Sequence, residues 1–157
     1  MRCTGAVELD PHVLHVAIRW LHVAAMATAF GGAVTVLALS TRPAADSANA
    51  VVAVAVRYEW LFWAAAGVLA MTGIGNLAAF GAGLAGPGTP WGATLTLKLW
   101  SVLTLVVLSL PRTLAVAHLS ASSQPARDLT VRLRNLYGAT AGAFAVILAL
   151  AIWLAHG

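Results

Sequence analysis

"HVLHVAIRWLHVAAMATAFGGAVTVLAL", residues 12 to 39, decides the fold. It runs past the ~20 apolar residues that a helix needs to cross the hydrocarbon core of a bilayer, and Arg19 is its one permanent charge. Three more runs of this kind follow, and the four spans are set at 13–39, 58–83, 93–117 and 135–155. Between them, "STRPAADSANA" (40–50) is polar, "GPGTPWG" (86–92) is rich in Gly and Pro, and "SASSQPARD" (120–128) is rich in Ser with one proline. Each such stretch reads as a turn. No repeat and no soluble domain stands out. The expected architecture is all-α: an integral membrane four-helix bundle over 13–155, preceded by a short outer tail at 1–12.

Composition supports a membrane setting. Of 157 residues, 61% are hydrophobic and 9% charged, whereas a soluble domain carries roughly a quarter charged residues. Mean hydropathy is +0.87. The formal charge of +4 comes from arginines lying between apolar runs, so it gives no sign of nucleic-acid binding. Cys3 is the only cysteine, which excludes an internal disulfide and a cysteine-cluster metal site. Residues 1–11 hold Glu8 and Asp10 and no apolar stretch, so no cleavable signal peptide is expected.

The arginines also give an orientation. Arg42 and Arg57 flank the first loop; Arg127, Arg132 and Arg134 flank the third, with Arg112 near it; the middle loop has none. The positive-inside rule then puts loops one and three in the cytoplasm and both termini outside. Trp20, Trp91 and Trp153 would mark the outer interface, Trp60 and Trp63 the inner one.

Polar residues gather on one side of the first helix. At about 100° per residue, with His12 at 0°, Arg19 falls near 340°, Met26 near 320°, His15 near 300° and His22 near 280°. Such an arc is costly against lipid and is expected to face the bundle interior. Asn76, Met71 and Lys98 reach comparable depth from the second and third helices. Snorkelling to the headgroups accounts as well for Arg19 and Lys98, and packing for Met26 and Met71. The glycines of "FGG" (30–32) and "GIG" (73–75) allow close helix approach or leave room for a flat ligand.

Four motifs in order carry a family resemblance: "WLHVAAMATAFGG", "LAMTGIGNL", "WGATLTLKL" and "VRLRNLYG". Over residues 13 to 155 the chain resembles the copper-resistance D (CopD) domain of bacterial membrane proteins. It is also similar to HemJ-type protoporphyrinogen oxidases, which share a first-helix His and a third-helix Lys and are associated with haem b; they carry a Tyr-His pair farther along the third helix, where "VVLSLPR" has none. The resemblance matches His22, Asn76 and Lys98 to the family's His, Asn and Lys. It implies a redox cofactor, haem b narrowly ahead of a copper ion, bound by His22, Lys98 and Asn76; the polar arc adds Arg19 as a further cofactor-binding cation, and His15 and the mid-span Met71 as metal ligands beside His22. Three functions follow: haem-based electron transfer, alone or beside a respiratory or redox partner protein; copper binding or transport; and a HemJ-like oxidase. His15 and His22, about 10 Å apart on one helix, cannot be opposite ligands of one iron. Oligomeric state, including a homo-oligomer in the lipid bilayer, stays open.

Overall fold

The computed structural model describes residues 11–41, 48–78, 86–121 and 125–156. They form four helices: α1 (Pro11–Ser40), α2 (Ala48–Ala78), α3 (Pro90–Ala121) and α4 (Ala126–His156). All four are long and apolar enough to cross a membrane. The chain is a multi-pass, all-α membrane protein.

Local chemistry sets the helix starts. Thr89 caps α3: its hydroxyl accepts from Gly92 N–H at 3.1 Å, and Pro90 occupies the first helical position, where a missing N–H costs nothing. Pro125 plays the preceding role for α4, its carbonyl accepting from Asp128 N–H at 3.0 Å, and the Asp128 carboxylate stands in the first turn, where the helix dipole favours it.

α1 packs most extensively on α2 and also meets α4; α3 packs on α4 and α2, and α2 touches α4 across the bundle. Successive helices are antiparallel, since His22 near the start of α1 bonds Thr72 near the end of α2, and Glu59 of α2 pairs with Arg112 late in α3. One end of the bundle therefore holds His22 (the histidine end) and the other holds the loop arginines (the arginine end). The buried side of α1 is a stripe of small residues, Ala25, Ala29 and Ala33, continued by Val36. Small side chains at successive turns let two backbones approach, which is how helices associate where lipid removes the hydrophobic drive. Tyr137, Phe62, Leu133 and Val116 fill the centre. The outside stays apolar, with Leu97, Trp100, Leu108 and Leu114 of α3 all exposed, as lipid-facing surface should be.

Two expectations change. α2 begins at Ala48 rather than 58 and α4 at Ala126 rather than 135, because "ANAVVAVAVR" and "ARDLTVRLR" continue helical although their polar residues read as loop. That shift moves Trp60 and Trp63 about 18–22 Å from the start of α2, away from an interfacial belt. Trp60 stays exposed, whereas Trp63 turns inward and donates its indole N–H to Thr113 Oγ1 at 3.0 Å.

Candidate functional site

The histidine end brings two side chains into contact. His22 Nδ1 lies 2.7 Å from Thr72 Oγ1. Thr72 is buried, and its hydroxyl donates to the Val68 carbonyl one turn back, also at 2.7 Å. A hydroxyl has one proton, so with that proton on Val68 the oxygen accepts from His22 Nδ1–H, and Nε2 keeps its lone pair. Gly73 lies against this ring: a side-chain carbon there would stand 3.9 Å from His22 Cε1, an ordinary contact. Lys98, half-buried on α3, stands within electrostatic reach of His22.

The remaining residues of the expected site are placed differently. Met26 is half-buried and packs against the core, and His15 is half-buried. Arg19 and His12 are exposed, so the arc on α1 turns only its His15–His22–Met26 edge toward the bundle. Met71 is 75% exposed, and the structure does not bring it to His22. The side chain of Asn76 lies outside the described residues. Among the described residues, no three His, Cys, Asp or Glu side chains converge as a metal site. Thr72 was not singled out from sequence, because an uncharged hydroxyl in "LAMTGIGNL" stands out only once its partner is known.

A second polar cluster lies toward the arginine end, and it changes the reading of Arg112. Glu59 and Arg112, 5% and 3% exposed, form a two-pronged pair: Nε donates to Oε1 and Nη2 to Oε2, both at 3.0 Å. Tyr137 donates to Oε1 at 2.6 Å and Thr113 to Oε2 at 2.5 Å, while Arg112 Nη1 donates to Thr140 at 3.1 Å. The guanidinium also sits 4.3 Å from the Phe62 ring centre, with Tyr58 and Tyr137 at 5.6 and 5.5 Å, a cation–π enclosure. A carboxylate with four donors is fully satisfied, so this cluster fastens helices and offers no free group to a ligand. Arg112 therefore belongs to the bundle interior rather than to the third loop. Glu59 and Arg112 both fall inside the expected spans, where a charge needs a partner, but the sequence does not say which one.

Comparison with curated proteins finds no match, nor does comparison with solved structures. Residues 52–154 match the family described as Copper resistance protein D, and that stretch takes in most of α2, all of α3 and most of α4. With four membrane-spanning helices and a match across most of its length, the chain belongs to the Copper resistance protein D family.

Proposed function

We propose that this protein handles copper in the bacterial inner membrane, with both termini outside and His22 as the imidazole that meets the ion. The family description, which names copper resistance, supports copper over haem b and reverses the order implied by the motif resemblance. The hydrogen bond between His22 and Thr72 carries the reading to one atom. A ligating imidazole is commonly oriented by a bond at its other nitrogen, and an imidazole nitrogen suits copper. The described residues do not build a closed cage, so they do not fit a stored ion. They fit an ion in transit, held briefly and passed on. His15, about 10 Å along the same helix, serves as a separate contact on that path.

Lys98 supports a second reading. A cation beside His22 repels a bare metal ion and attracts an anion, and haem b, with an imidazole-ligated iron and propionates, combines both demands. In that reading His22 holds the iron and Lys98 a propionate.

Titration of the detergent-purified protein with Cu(I) against a competing chelator, together with a visible spectrum, tests both. Copper affinity should be lost in His22→Ala and fall roughly 10–100-fold in Thr72→Val, which keeps volume but frees the ring. In Lys98→Met, affinity should rise several-fold as a like charge is removed. A His22→Ala variant that binds copper like the wild type overturns the assignment. A Soret band in the wild type that weakens in Lys98→Met selects the haem reading instead.

A further inference from the structure

At the arginine end, a groove of about 350 Å³ opens between α3 and α4, lined by Ala115, His118, Leu119, Arg132, Asn135 and Leu136. Each helix contributes polar and apolar residues to its lining. Arg132, His118 and Asn135 are exposed and supply a guanidinium, an imidazole and an amide. Ala115, Leu119 and Leu136 form an aliphatic wall. Among the described residues the one ion pair is Arg112–Glu59, so Arg132 has no carboxylate partner there; even Asp128, one turn before it, does not pair with it.

Depth adds an independent constraint. Helices of 32 and 31 residues are about 47 Å long against about 30 Å of hydrocarbon, so a centred helix projects about 8 Å at each end. Arg132 lies six residues into α4, about 9 Å along its axis, and His118 lies three residues before the end of α3. Both therefore sit near the boundary where lipid phosphates lie; of the aliphatic lining, Ala115 (six residues before the end of α3) and Leu136 (ten residues into α4) reach the level of the upper acyl chains, while Leu119 stays at headgroup height.

We propose that this groove binds an anionic phospholipid, its phosphate between Arg132 and His118 and its glycerol and upper acyl carbons along Ala115 and Leu136. A guanidinium fork matches a phosphate in two-pronged geometry, and basic recesses between membrane helices are a recurring way of holding acidic headgroups. Asn135 donates its amide to the same headgroup. The neighbouring groove beyond Leu119 brings only Arg57 as a cation, with Asn49 and Ser120, and lacks the imidazole.

Native mass spectrometry of the detergent-purified full chain tests this, with phosphatidylglycerol, phosphatidylcholine or inorganic phosphate added. The wild type should retain phosphatidylglycerol in preference to phosphatidylcholine. Arg132→Gln should lower phosphatidylglycerol occupancy roughly fivefold, the worth of about one surface cation, and His118→Ala in addition should lower it further. Arg132→Lys should fall between, keeping charge and losing the fork. Arg134→Gln removes the same charge two residues away, outside the groove, and should change occupancy less than twofold. Equal loss in Arg134→Gln overturns the site in favour of general electrostatics. Equal binding of phosphatidylcholine overturns the demand for an acidic headgroup, and displacement of the lipid by an equimolar amount of inorganic phosphate shows a free-phosphate site and overturns the lipid assignment.

Discussion

At Gly32, a side-chain carbon would fall inside the van der Waals envelope of the Tyr58 ring. That ring has little freedom to move away, since it is buried and its hydroxyl donates to the Ala29 carbonyl of α1 at 2.7 Å. Gly31, one residue earlier, faces open space. Gly32→Ala should therefore cost about 1–3 kcal/mol through overpacking, while Gly31→Ala should be neutral or stabilising by up to about 1 kcal/mol, as alanine favours helix; thermal melting in detergent separates the two. From sequence, the glycines of "FGG" read first as packing positions, with a flat ligand's space as the alternative. The structure gives the space at Gly32 to Tyr58, whose aromatic ring sat unremarked at the edge of an expected span. A glycine's role depends on what lies across from it, and one chain read alone does not supply that neighbour.

The helices are joined by two kinds of contact, and each fails differently. α1 and α2 meet through the alanine stripe, whereas α2, α3 and α4 are fastened by Glu59, Arg112, Tyr137 and Thr140. Losing one partner of a buried pair strands the other charge, so Arg112→Leu or Glu59→Leu should each cost about 3–5 kcal/mol. Tyr137→Phe removes one hydrogen bond to a charged group and should cost about 1.5–3 kcal/mol. Glu59→Leu combined with Arg112→Leu strands neither charge, and should cost less than the two single changes added, by about 0.5–3 kcal/mol. Melting temperatures of the four variants check the order; strict additivity would mean the pair is not coupled. The number and apolar character of the helices were legible in composition and spacing. The pairing of Glu59 with Arg112 was not, because an arginine near a loop satisfies the topology rule and a membrane charge equally well, and only the third dimension separates them.

Moving Arg112 into the interior alters the charge balance on which orientation rests. In sequence, loops one and three and their flanks keep Arg42, Arg57, Arg127, Arg132 and Arg134, against Arg2 in the N-terminal tail and Arg19 and Lys98 toward the histidine end. Five against three still favours a cytoplasmic arginine end, though by less than a count that includes Arg112. Cys3 is the single cysteine and makes a natural reporter. In intact spheroplasts, a membrane-impermeant maleimide should label it without permeabilisation. Changing Arg127, Arg132 and Arg134 together to Gln leaves two cations against three, and the labelled fraction should fall as part of the population inserts the other way round. Arg112→Leu, by contrast, should lower stability and leave the labelled fraction of the surviving protein unchanged, since a side chain buried among Phe62, Tyr58 and Tyr137 adds nothing to the flanking charge. Wild-type labelling only after permeabilisation would reverse the orientation. A drop in labelling with Arg112→Leu equal to that of the triple variant would return Arg112 to the loop count.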